Sequence, residues 1–304
     1  MALSLGGMTE YVKAQSQELL VSAILKGETL DIIKKQAGIK YKDRLFYFNT
    51  DAVVQAASCA FSTNGTTTLT EKDVSVVSVK VNESICPEDL NKYYQSLELT
   101  PGYNKTIPFE QVYFNTKMLQ IAKGIETAIW ANAAASTTVP EGLIHQFLAD
   151  VTITGNTLVH QNLTGTTTAS DWMAIIYALQ NKLPEEIQSF TDLTLFVGAP
   201  IFRKIVQSLV VANLYHIDLS SNDGMNSFVF PGTNITLKPV SGLNTLNNMV
   251  LTPSSNLVYL TDMVSEEDKV EWFWDQSDQI CKFIARWKYG VSYYFSAYVV
   301  LSAL

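Results

Sequence analysis

Three short runs decide how this chain is read: Leu45-Phe-Tyr-Phe48, Ser62-Thr-Asn-Gly-Thr-Thr-Thr68 and Val74-Ser-Val-Val-Ser-Val-Lys-Val81. The first opens a β-strand that continues through Val53, Ala57, Cys59 and Phe61. Asn64-Gly65 in the second is a strong hairpin signal, because type I′ turns need positive φ at both central residues. The third is the return strand. Its alternation holds at 74 and 76, then slips and holds at 77, 79 and 81, as a β-bulge would produce. Residues 45–86 therefore read as one long β-ribbon. Two strands alone in water are marginal, and exposed strand edges invite pairing. Either a third strand of the same chain covers the ribbon, or it lies on a neighbouring subunit. We expect an arm made for assembly, with an ordinary hairpin inside one sheet as the alternative.

Upstream, residues 8–36 read as helical, with apolar clusters at Leu19, Leu20, Ala23, Ile24 and at Leu30, Ile32, Ile33. Lys34, Lys35, Lys40, Lys42 and Arg44 follow as a basic patch. It is either a solvated face or a contact with an acidic surface of another subunit. Downstream, Phe109 to Ala134 is the clearest helix: Phe114, Met118, Ile121, Ile125, Ala128 and Ile129 keep the 3.6-residue period with no proline. A helix of about 25 residues is about 37 Å long and can serve as the spine of a domain.

A short helix is expected over Pro140–Asp150, strand and loop over Thr152–Thr168, and a helix from a Ser170 N-cap with Trp172, Ile175, Ile176 and Leu179 on one face. Leu193-Thr-Leu-Phe-Val197 is a buried strand, and Gly198-Ala-Pro200 launches another helix. From residue 250 the chain is β-rich, with strands expected at 256–260, 270–274, 281–286 and 290–300. The fold class is α+β.

The 304 residues are 47% hydrophobic and 16% charged, with a formal net charge of −8. Disorder of the whole chain is excluded. The acidic balance and only three arginines, Arg44, Arg203 and Arg286, argue against sequence-specific nucleic-acid recognition. Cys59, Cys86 and Cys281 lack any CxxC spacing, so neither a disulfide framework nor a cysteine zinc site is expected. No signal peptide or transmembrane run is evident. His145, His160 and His216 are scattered. There is no Walker loop, GxGxxG, GxSxG or HExxH. We expect no enzyme, no cofactor and no metal. The aromatic run around Trp272, Phe273, Trp274, Trp287, Tyr289, Tyr293 and Tyr294 reads as core plus interface, with a sugar platform as the alternative.

The order of these parts resembles the major capsid protein of tailed bacteriophages, the Hong Kong 97-type (HK97-like) fold. Local sequence is similar to capsid proteins of crAss-like phages of Bacteroidetes. The similar passages are Lys42-Asp-Arg44 through Cys59, Asn64-Gly65-Thr66, Lys80 through Leu90, Ile107-Pro-Phe-Glu110, Ile129-Trp130, Gly142-Leu-Ile144, and Phe283-Ile-Ala-Arg286 through Val291. The resemblance implies an N-terminal helical arm (1–41), an E-loop (42–86), a peripheral P domain (87–150 and 250–288) and an axial A domain (151–249 and 289–304).

It further implies a shell protein that self-assembles into hexamers and pentamers of an icosahedral phage head around double-stranded DNA, held non-specifically. Portal, separate scaffold and decoration proteins are the implied partners, and the virion, assembled in the host cytoplasm, is the location. The candidate intersubunit contacts are Phe46, Phe48, Phe61, Asn64, Gly65, Val77 and Val79 on the E-loop and Lys34, Lys35 and Arg44 on the arm. The alternatives are an encapsulin-like nanocompartment shell, a carbohydrate-binding or carbohydrate-active β-protein, and a head decoration or tail protein.

Overall fold

The computed structural model describes residues 28–39, 42–50, 54–57, 59, 63, 65–86, 88–89, 109–136, 139–160, 165, 168–213, 227–262 and 269–303. Within them two sheets and a separate two-stranded ribbon organise the chain. The five-stranded sheet contains β1 (Lys34–Ala37), β4 (Val77–Ile85), β10 (Leu257–Thr261), β11 (Lys269–Asp275) and β12 (Ile280–Tyr293). β12 is its axis: β4 pairs along one edge, while β11 and then β10 pair along the other. β1 adds to β10 in parallel.

The spine helix α1 (Phe109–Ile129) packs on this sheet. Its buried stripe is the expected one, Phe114, Met118, Ile121, Ile125 and Ile129, with Ala128 half-buried. Phe114 meets Trp272 edge-on at 5.6 Å and Phe283 at 6.2 Å between ring centroids. Each such side chain contributes about 1.5–3 kcal/mol by leaving water. Lys117 of α1 also pairs with Glu83 of β4. The helix stops at Ile129 instead of Ala134, although alanines follow. Packing overrides propensity there. A Cβ on Gly142 would sit 2.0 Å from the Ala131 carbonyl oxygen, so the alanine-rich segment is spent on close contact with the next element.

That element is α2 (Leu143–Ala149), followed by a π-helical turn at Ile153–Thr157 and β5 (Leu158–His160). Then come α3 (Ala169–Asn181), α4 (Glu185–Gln188), β6 (Leu193–Val197), α5 (Ala199–Val211), β7 (Phe228–Val229), β8 (Thr236–Pro239) and β9 (Met249–Pro253). The six-stranded sheet runs β5-β13-β9-β6-β8-β7, where β13 is the closing strand Val300–Ala303. The cap of α3 is Thr168, not Ser170: Thr168 and Asp171 form a reciprocal capping box.

β6 is buried at every position because both faces of the sheet are covered. Leu193, Leu195 and Val197 meet Trp172, Ile176 and Ile205 of the helices. Phe196 points the other way and meets Trp130 at 5.2 Å. One apolar cluster thereby joins the two sheets through the end of the spine.

Several expectations are corrected. Residues 28–33 are turns and 34–37 are a strand, so this part of the arm is not helical; residues 1–27 lie outside the described residues. Val76 is where β3 (Thr67–Ser75) ends and β4 begins, and β4 belongs to the five-stranded sheet instead of the ribbon. The slip in alternation marks a change of sheet. The two strands expected at 281–286 and 290–300 are one 14-residue strand followed by a break. β9 lies in the six-stranded sheet and β12 runs to Tyr293 in the five-stranded one.

Candidate assembly surface

The ribbon consists of β2 (Lys42–Thr50) and β3, paired from Lys42↔Ser75 to Thr50↔Thr67. Nine residues of extended chain reach about 30 Å. Among the described residues the pairing runs out to Thr50↔Thr67; Asn64 of the expected Asn64-Gly65 turn lies outside the described residues.

Alternation divides the ribbon into two faces. The inner face carries Leu45, Tyr47, Lys72 and Val74. Leu45 and Val74 are buried with Val76, Ile39, Val258 and Leu260, and Tyr47 lies edge-on to Phe295 at 4.6 Å. The base of the ribbon is thus anchored by its own chain. Lys72 reaches over the Tyr293 ring, 2.9 Å from its centroid. Tyr293 in turn donates to Asp150 at 2.7 Å. Burial, first of all, holds the Tyr293 hydroxyl well above the usual phenol range, with Asp150 acting in the same direction.

The outer face presents Arg44 opposite Asp73, Phe46 opposite Glu71, and Phe48 opposite Leu69. Arg44 is held inside the ribbon by Glu71 and by Asp73 at 3.2 Å. Beyond this charged tier the surface is apolar: Phe46 is 53% exposed, Phe48 69% and Leu69 53%. Three large apolar side chains in one unbroken row on a two-stranded element are the feature a partner would cover.

The structure therefore brings Phe46 and Phe48 together, as expected, and adds Leu69. Periodicity could have found Leu69 only with the register in hand. Val77 and Val79 are corrected: both lie half-buried in β4, opposite Tyr289 and Trp287, and Val79 packs on the core. Arg44 lies on the ribbon, not on the arm. Lys34 and Lys35 are exposed on β1, where Lys34 sits 5.5 Å from the Tyr294 ring centroid. Gly65 is exposed, while Phe61 and Asn64 lie outside the described residues.

A second feature escaped sequence reasoning. Glu126 of α1 is buried, and it accepts hydrogen bonds from the Thr29 backbone N–H at 3.3 Å and from the Thr29 hydroxyl. Trp130 Nε1 donates to Thr29 Oγ1 at 2.7 Å. A Cβ on Gly242 would sit 2.4 Å from the Glu126 carbonyl oxygen. This node ties the turns at 28–33 to the spine. Burial pushes the Glu126 carboxyl above its ordinary range.

Of the aromatic run, Trp272, Trp287, Tyr289 and Tyr293 are core residues, Tyr294 is half-buried, and Phe273 and Trp274 are exposed. Most of the run is therefore taken up by the core. His145 pairs with Glu141 at 2.6 Å, His160 is exposed at a strand end, and His216 lies outside the described residues. Among the described residues no cluster of three His, Cys, Asp or Glu could hold a metal, and no helix is long and apolar enough to cross a membrane.

No family model matches the chain, and no curated protein matches it. Solved structures do. It is similar to a chain of the satellite phage P4 procapsid that includes the size determination (Sid) protein, with TM-score 0.66 and 11% identity over 94% of this chain and 89% of that one. The chain has the HK97-like capsid fold. It is also similar to the capsid of the native GTA particle, with TM-score 0.58 and 11% identity over 92% and 89% of the two chains. A virus-like particle from Pyrococcus furiosus has TM-score 0.55 and 10% identity over 97% and 100%. Identities this low carry the fold alone.

Proposed function

We propose that this protein is a structural shell subunit, the major capsid protein of a tailed bacteriophage, assembling as hexamers and pentamers into an icosahedral head around double-stranded DNA. The observation that carries the reading is the ribbon: anchored at its base, it presents Phe46, Phe48 and Leu69 to solvent. The likeness of fold to capsid chains over nine-tenths of the length supports it. In a closed shell every copy gives and receives the same contacts, so modest individual contacts sum to a stable particle. The acidic net charge fits a wall that does not hold DNA tightly. The virion as its location, and portal, scaffold and decoration proteins as partners, follow from the same reading.

The test is electron microscopy of the purified chain. Closed particles are expected, and Phe46→Ser with Phe48→Ser should abolish them. A chain that stays solitary at high concentration overturns the reading. The likeness to the virus-like particle favours a second reading, a protein compartment without a genome. Particles from producing cells that contain protein cargo and no DNA would select it.

A further inference from the structure

Lys72 is a buried cation that the assembly reading does not use. It projects from the inner face of β3, opposite Leu45, between Thr70 and Val74. Its Nζ is shielded from solvent and has no hydrogen-bond partner among the described residues. It rests on the Tyr293 ring at the edge of a cavity of about 330 Å³ lined by Ser75, Pro140, Gln146 and Ala149, among others. The titratable groups around it are Tyr47 of β2, Asp73 beside it on β3, Glu141 with its partner His145, Asp150 after α2, and Tyr293 of β12. Glu141 and Asp150 act on it through space without bonding it.

A buried ammonium without hydrogen bonds is costly. A neutral amine on an aromatic face costs much less. Contact with the ring offsets part of the cost of the charge. The rest disappears if the ribbon lifts and Nζ, now shielded, reaches the water of the open cavity beside it, where the ammonium can be solvated. We propose that Lys72 is a protonation-controlled latch at the base of the ribbon: as the neutral amine it lets β2 and β3 lie against Tyr293, and as the ammonium it lifts them. Burial lowers the Lys72 amine to about 7, against the partial opposition of Asp150 and Glu141. The sign follows by linkage. The docked state binds the proton more weakly than the lifted state, so docking strengthens as pH rises from about 7 towards the ordinary lysine range, and is weakest and constant below 7.

A lifted two-stranded ribbon loses its support and its amides exchange faster. Hydrogen exchange of the β2 and β3 amides, corrected for intrinsic rate and referred to β6 amides of the same molecule, reads this directly. Between pH 7 and 9 the relative protection of the wild-type ribbon should rise at least about fivefold, with about tenfold per pH unit as the ceiling. Lys72→Met should show high protection with no slope. Lys72→Arg, which cannot lose its charge, should show low protection with no slope. His145→Gln, which removes the imidazole paired with Glu141, should keep the wild-type slope. A wild-type ratio that is constant over this range, or a Lys72→Met slope equal to wild type, overturns the proposal. If Lys72→Met fails to fold, the wild-type and Lys72→Arg profiles decide it. The readout is a property of the single chain, so it stands or falls separately from shell formation.

Discussion

Gly290 of β12 lies against the backbone of Ser75: a Cβ at position 290 would come within 2.3 Å of the Ser75 carbonyl oxygen. This contact stands where the chain leaves the ribbon and enters the five-stranded sheet. The obstacle is main chain, flanked by the buried Val74 and Val76, and it cannot swing away as a flexible side chain would. Gly290→Ala should therefore destabilise the protein by about 1–3 kcal/mol, the usual cost of forcing extra volume into a packed site. Urea unfolding of the unassembled chain measures it, and an unchanged midpoint would show that the two strands can part freely.

Glu126 sets a pH dependence. Its carboxyl is held above the ordinary value of 4.5, chiefly by burial and further by nearby Glu28, while the bonds from Thr29 and Trp130 pull the other way. The folded state therefore holds this proton more tightly than the unfolded chain. The stability it contributes is full below about 4.5 and is lost as pH rises through the displaced value. Glu126→Gln cannot ionise. Its stability relative to wild type should increase as pH rises above about 4.5 and level off once the carboxyl of the folded protein has ionised, as followed by urea midpoints at a series of pH values.

The outer ribbon face predicts a separation between folding and assembly. Phe46 and Phe48 are exposed in the single chain. Replacing both by serine should alter unfolding of the unassembled chain by no more than about 0.5 kcal/mol each. Light scattering of the same protein should show loss of large particles. A large fall in monomer stability would mean that the face is covered within one chain.

Trp130 and Trp172 are both fully buried but differ in one bond. Trp130 Nε1 donates to Thr29. Trp172 Nε1 has no partner among the described residues. Trp130→Phe loses volume and a hydrogen bond and leaves Thr29 and Glu126 less well satisfied, whereas Trp172→Phe loses volume and an unpaired donor. Trp130→Phe should cost about 1–2 kcal/mol more than Trp172→Phe, by comparison of thermal or urea unfolding. Equal costs would remove the node at Thr29 as a source of stability.

Legibility in the sequence followed the range of the interactions. The stripe from Phe114 to Ile129 and the run Leu193–Val197 were readable because helix and buried-strand patterns repeat over a few residues. The slip at Val76 was also visible, but its cause was not. A bulge and a change of sheet produce the same local pattern. Phe46 and Phe48 were found because they alternate on one strand; Leu69 was missed because it joins them only through the register Phe48↔Leu69. Glu126 looked like any surface glutamate, since its burial depends on Thr29, 97 residues away.

Residue order alone settles the α+β class, the spine helix and the existence of extended segments opening at Leu45 and running from Val74 to Val81, because each is written in a period of two or 3.6 residues. Partnership is another matter. The pairing of β4 with β12, the burial of Lys72 and Glu126, and the exposure of one ribbon face arise from contacts between segments far apart in the chain. Backbone hydrogen bonds are nearly indifferent to which residues make them. The choice among possible partners is therefore made by how all the apolar faces can be covered together, a condition no local pattern contains.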